Sequence, residues 1–376
     1  MTLGSNLWIE LGVAFVCFRY FSSKRAFNVT VPSVVASILL IASSVYYVHG
    51  GSIPGYISKI MLVSLAALLI NVKVDWRMEL WQTISKWYAV LVLLAVVFWL
   101  LHFVFPLPHA TMIGDMNGTP IHSYNYFFFR ETMFNEYRTD WMQRFQGMFL
   151  EPGHMGTITA FFLLINRFAF HKIENWILLI GTLLSLSASA YLLLVLGYMS
   201  HMVAGGNARK VLYAVLLIVC MVVFSIFYND GNNLINELIF EKLTREEGAM
   251  ESRVSLEVLM LFENMWSTGT DLWYGKGAFL DIEENSAGFM LFFVCCGIVG
   301  TILLVLAYFS IYYSCKTKYG FFLFLIYMIS FLQRTYPYFD AFSLPFILGL
   351  PYFLQEQRKK IKSCKQQKQI KGIVLP

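Results

Sequence analysis

The run WYAVLVLLAVVFWLLHFVF at positions 87–105 decides the fold, because none of its residues carries a fixed charge and it is long enough to cross the roughly 30 Å of a bilayer's hydrocarbon as a helix. Lys86 precedes it and Pro106-Leu-Pro108 ends it. Working outward, similar apolar runs fill most of the chain, at about 7–21, 31–48, 54–71, 155–170, 175–187, 189–204, 211–228, 286–311, 320–334 and 341–354. With 58% hydrophobic residues, 14% charged residues and a mean hydropathy of +0.61, the 376-residue chain is more apolar than a soluble domain, which carries about 25% charged residues. The fold expected is an all-α, polytopic membrane helix bundle of about eleven spans. Residues 1–357 form one integral domain and 358–376 a basic tail.

The charges orient this bundle. Lys24 and Arg25, then Lys73, Arg77 and Lys86, then Arg167 and Lys172, then Arg209 and Lys210, then Lys316 and Lys318 fall in alternate connections, as the positive-inside rule requires of the cytoplasmic side. The seven Lys and Arg between Arg358 and Lys371 fall on the same side and read as a topology signal, not a nucleic-acid patch. The first run is followed, not preceded, by basic residues, so it reads as a retained helix. This places the N-terminus outside and the C-terminus in the cytoplasm. The six cysteines avoid the two long polar loops, and no disulfide framework is implied. Cys295 and Cys296 read as packing residues.

Two long loops, Pro106 to Gly153 (106–153) and Asn229 to Asn285 (229–285), therefore lie on the outer face. Nineteen of the 23 carboxylates sit there or at the outer ends of spans, so cations retained on that acidic face need a reason. Arg130, Arg138, Arg144, Arg245, Arg253 and Arg334 are such cations. Most have a carboxylate within a few residues, and a surface ion pair accounts for them. Arg144 and Arg253 stand out, because a guanidinium fork matches phosphate oxygens at any relevant pH. Arg144 precedes FQGMFLEPGH, where Gly147, Pro152 and Gly153 force a turn that presents Glu151 and His154 at the head of a span; a plain helix cap explains the same pattern equally well. Arg253 opens an amphipathic stretch, 252–266, whose Leu256, Leu259, Phe262 and Trp266 read as a packing face. Gly275-Lys276-Gly277 makes a tight turn ahead of Glu284 and lacks the rest of a phosphate-binding loop. Within 176–203, LSASA (186–190) breaks the apolar run, so two short helices meet near Ser185, Ser187 and Ser189, or one long helix tilts.

This arrangement resembles the Wzy-type O-antigen and capsular repeat-unit polymerases and, more distantly, the O-antigen ligases. The matching segments are RFQGMFLEPGHMG (144–156), SLSASAYL (185–192), SR (252–253), LWYGKG (272–277) and ENSAGFMLFFVCCGIVG (284–300). Ser187-Ala188 and Glu284-Asn285 stand where the ligase pattern has Ser-Arg and His-Asn. The resemblance implies a GT-C-like, metal-independent glycosyltransferase in the bacterial cytoplasmic membrane. It would join undecaprenyl-diphosphate-linked donor and acceptor glycans at the outer face, without a cofactor, beside a flippase and a chain-length regulator. Catalysis is expected from Glu151, Arg144 and Arg253, with His154, Lys276, Glu284, Arg334 and Arg138 binding substrate. A ligase-like transferase and a lipid-linked oligosaccharide flippase are the alternatives. A transporter predicts internal repeats, short outer loops and ionisable residues in mid-span, whereas the chain shows no repeat, its spans are nearly free of charge and its polar weight lies in the outer loops.

Overall fold

The computed structural model describes residues 27–47, 63–116, 119–133, 143–205, 256–267, 269–277, 289–333 and 343–351, with single positions between 212 and 228. The described chain is mostly helical. Its helices are α1 (Val31–Tyr47), α2 (Val74–His102), α3 (Pro152–Ile165), α4 (Ile173–Leu184), α5 (Ala188–Ala204), α6 (Leu256–Met265), α7 (Gly269–Tyr274), α8 (Phe289–Ser314) and α9 (Lys318–Gln333). Residues 63–70 and 343–351 are also helical. Two of these, α2 and α8, are long and apolar enough to cross a membrane; α1, α3, α4, α5 and the 318–331 stretch are apolar but shorter. The expected spans at 7–21 and, for the most part, 211–228 lie outside the described residues.

α2 starts 13 residues before the run that announced it, at Val74 and not Trp87. The added turns are amphipathic: Arg77, Met78, Trp81 and Ser85 face inward while Asp75, Glu79 and Gln82 stay exposed. Buried Arg77 reaches the Cys315 sulfur with Nη2 at 4.0 Å, and its Nε and Nη1 have no hydrogen-bond partner among the described residues. The core runs through Trp81, Trp99, Phe145, Met155, Phe161 and Phe162 to Tyr308, Tyr327 and Phe346. Phe161 packs on Tyr327 with centroids 4.6 Å apart, and Trp81 on Phe162 at the same separation.

The first long loop is not irregular. It folds into an antiparallel sheet of order β1-β2-β3, formed by β1 (Ala110–Met116), β2 (Thr119–Asn125) and β3 (Arg130–Thr132). This small sheet is an addition to an otherwise helical fold, and its cause is local. Met116 pairs with Thr119, leaving only Asn117-Gly118 to connect β1 and β2. Asn-Gly supplies the positive φ angles that two-residue hairpin turns require.

In the second loop, α6 begins at Leu256 and packs on α8 as its apolar spacing implies. Val258 and Met265 are fully buried against Val294, and Phe262 meets Phe293 at 5.6 Å. Trp266 stays 62% exposed, so the buried stripe is centred on Val258 and Met265 instead. The 176–203 run is two helices, broken at Ser185-Leu186-Ser187, with Leu186 at φ 45°. α8 breaks as well: Gly297 adopts φ 59°, ψ −161° in the middle of its apolar run.

Candidate functional site

The break between α4 and α5 collects the motifs of the first loop. A helix end leaves carbonyls without partners inside the helix, and here the loop supplies them. Phe145 N–H donates to Leu184 O at 3.1 Å, and Arg144 Nε donates to Ser185 O at 3.2 Å. From the other side of the break, Tyr191 Oη donates to Leu183 O at 2.6 Å, and Ser185 Oγ turns back to Thr182 O at 2.7 Å. Arg144 is thereby buried at a helix C-terminus, where the dipole favours a cation. The Tyr191 hydroxyl lies within its electrostatic reach.

The same break receives the first turn of α3. Glu151 is its N-cap in extended conformation, and Pro152 takes the first helical position, where no N–H is needed. The Glu151 side chain makes no capping bond to its own helix, so the carboxylate is not there as a cap. Gly156 lets the turn approach closely: a Cβ there would overlap Ser185 Oγ and lie 2.7 Å from the Ala190 Cβ. Ser187 Oγ, which shares a 2.8 Å hydrogen bond with Ser189, sits 3.8 Å from where a Gly153 Cβ would be. Gly147, at φ 53°, turns the chain beside the Met155 thioether. Arg144, Glu151 and His154, three of the residues singled out in the sequence, thus belong to one neighbourhood with Ser185, Ser187 and Ser189. Glu151 and His154 are half-buried there.

Lys276 is elsewhere. Its Nζ pairs with Asp271 Oδ2 at 3.5 Å, and its backbone N–H donates to Val294 O at 2.8 Å. Gly277 N–H donates to Cys295 O at 3.0 Å, so the Gly-Lys-Gly turn fills the carbonyls that the kink at Gly297 exposes. The approach is backbone on backbone: a Cβ on Gly297 would lie 2.6 Å from Trp273 O. Arg138, Arg253, Glu284 and Arg334 lie outside the described residues.

A further cluster was not anticipated. Glu131, at the centre of β3 and 3% exposed, pairs with His102 Nε2 at 3.5 Å. The Tyr126 hydroxyl is 3.2 Å from the same nitrogen, and its ring stacks on Phe129 at 4.2 Å. The His109 ring sits 5.3 Å from that of Tyr126. Burial raises the Glu131 carboxyl above its ordinary range, while the neighbouring His102 and His109 act against the rise. On either side of Glu131, the strand is fastened to the Arg144 segment: Arg130 N–H donates to Gly147 O at 2.7 Å, and Gln143 and Gln146 donate to Thr132. In the sequence the signal was His102, the one histidine in the 87–105 run, placed where that run meets the loop.

Chemically, the break offers a buried guanidinium, a helix N-terminus able to face an anion, serine hydroxyls, and two proton acceptors, Glu151 and His154. No group of three His, Cys, Asp or Glu among the described residues is arranged to hold a metal ion. Comparison with known protein families, curated proteins and solved structures finds no match for this chain.

Proposed function

We propose that this protein is a membrane glycosyltransferase of the repeat-unit polymerase kind, acting on undecaprenyl-diphosphate-linked oligosaccharides at the outer face of the bacterial cytoplasmic membrane. The observation that supports it best is the meeting of Arg144, the Glu151-Pro-Gly-His154 turn and the Ser185–Ser187 break at one place. A hydroxyl of the acceptor glycan attacks the anomeric carbon of the donor while the lipid diphosphate departs. Glu151 takes the acceptor proton, a role worth about 10² to 10⁴ in rate. Arg144, with Arg253 from the second loop, meets the charge gathering on the diphosphate, and loss of one such donor costs about 10² to 10³. His154, Lys276, Glu284, Arg334 and Arg138 are the proposed glycan and phosphate contacts, with no metal. The eleven-span topology with the N-terminus outside belongs to the same reading, which the two long apolar helices support.

The test is polymerisation by the purified chain supplied with lipid-linked repeats, with product length read on a gel. Arg144→Ala, Glu151→Ala and Arg253→Ala are each expected to abolish long products while remaining folded. If all three polymerise like the wild type, the reading fails. One observation favours the flippase alternative: α8 is interrupted at Gly297, and discontinuous helices recur at transporter binding sites. Transbilayer movement of lipid-linked repeats without glycan transfer would select that alternative.

A further inference from the structure

At the end of the bundle opposite the sheet, α2, the turn after α3 and the start of α4 enclose a cleft of about 220 Å³, lined by Gln82, Ser85, Lys86, Asn166, Lys172, Glu174 and Asn175. Its floor is a closed set of hydrogen bonds. Trp81 Nε1 donates to Asn166 Oδ1 at 3.0 Å; Asn166 Nδ2 donates to Ser85 Oγ at 2.8 Å and to Asn175 Oδ1 at 2.9 Å; Asn175 Nδ2 donates to Ala169 O at 2.9 Å. Every amide hydrogen-bonds within the floor, which fixes the shape of the cleft, and the Ser85 hydroxyl proton has no acceptor among the described residues. Buried polar side chains are stabilising only when satisfied in this way.

We propose that this cleft binds a phosphate ester, with the phosphodiester headgroup of a membrane lipid as its occupant. Lys86 and Lys172 approach from two separate elements and are both exposed at the rim, so neither is consumed by the floor. α4 begins at the same rim with no side-chain cap, adding the positive end of a twelve-residue helix. Glu174 lowers the rim to a net single positive charge, which suits a monoanionic diester better than a polyanion. The volume is below the roughly 300 to 1,000 Å³ of small-molecule and cofactor pockets and is of the size a phosphate headgroup needs. The lipid source rests on the membrane orientation proposed above, in which Lys86 and Lys172 share the cytoplasmic side; the phosphate chemistry does not.

The experiment uses the full chain purified in mild detergent, with short-chain phosphatidylglycerol and inorganic phosphate as separate probes. Binding is read by native mass spectrometry and by the shift in melting temperature. Phosphatidylglycerol is expected to bind with an apparent affinity at least tenfold weaker in Lys86→Gln/Lys172→Gln than in the wild type. Lys316→Gln/Lys318→Gln, which removes the same charge from the same face, leaves binding unchanged. Protection by inorganic phosphate alone, lost in the first variant, supports the phosphate site and assigns it to a soluble ligand. Wild-type binding by the first variant, equal weakening in both, or no response to either probe overturns the proposal. Because neither lysine belongs to the proposed transfer site, polymer length stays normal in the first variant, so this test and that of the glycosyltransferase reading fail independently.

Discussion

Among the described residues two apolar runs are broken, and the two breaks are repaired differently. Between α4 and α5, the freed carbonyls accept from a guanidinium, a tyrosine hydroxyl, a serine hydroxyl and two backbone N–H groups. At Gly297 in α8, the carbonyls of Val294 and Cys295 accept, among the described residues, from the backbone of the Gly275–Gly277 turn. The first repair places reactive side chains in a protected position; the second places none. A break mended by side chains can carry chemistry, whereas a break mended by backbone is a joint, and irregular backbone within an apolar layer persists only where such partners exist.

The largest effect should come from the joint. Gly275→Ala or Gly297→Ala puts a Cβ within about 2.6 Å of backbone atoms at a positive φ, so each should destabilise the protein by roughly 3 kcal/mol or more, read as thermal unfolding in detergent. A melting curve like the wild type for both would abolish the distinction drawn here. Next comes Arg144→Ala, which leaves a buried carbonyl without its donor at a cost of about 1 to 3 kcal/mol. Arg144→Lys restores a charge without the fork and should recover stability more than activity.

A smaller and pH-dependent effect is expected at Glu131. Its folded pKa is raised above the ordinary 4.5 by burial, so the folded state holds the proton more tightly than the unfolded chain. That contribution to stability is complete below the ordinary value and is lost as pH rises through the raised one. Melting temperatures of Glu131→Gln measured from pH 4 to 7 should therefore lack a decline that the wild type shows. The smallest change is Lys276→Ala: its pairing with Asp271 is partly exposed at both ends and is worth at most about 1 kcal/mol. A loss of polymerisation in that variant without loss of stability is the outcome expected if Lys276 contacts substrate as proposed; normal polymerisation removes it from the proposed contacts.

The sequence made the first break legible because small polar residues interrupt an apolar run at Ser185, Ser187 and Ser189. It announced the turn at Pro152-Gly153 for a similar reason and the helix of α6 through its spacing, but centred the packing stripe on the wrong residues, since Val258 and Met265 are buried and Trp266 is not. The second break was hidden: Gly297 sits among residues as apolar as itself, and only the approach of the 275–277 turn distinguishes it from a packing glycine. The sheet of the first loop is not announced by periodicity, because β1 and β2 do not alternate cleanly. The His102 and Glu131 pairing joins residues far apart in sequence and depends on how the sheet sits on α2, which periodicity does not encode. That Arg144 meets Ser185 is likewise a fact of packing, although both residues had drawn notice separately.

The foot of α2 leaves one demand unanswered. Among the described residues, buried Arg77 holds a permanent cation with little more than a sulfur atom in return. A folded state with that imbalance gains by admitting solvent, so transient opening should begin at this end of the helix. Amide hydrogens near Arg77 are then the first in α2 to exchange with deuterium, well ahead of those near Trp99, and Arg77→Met should slow them.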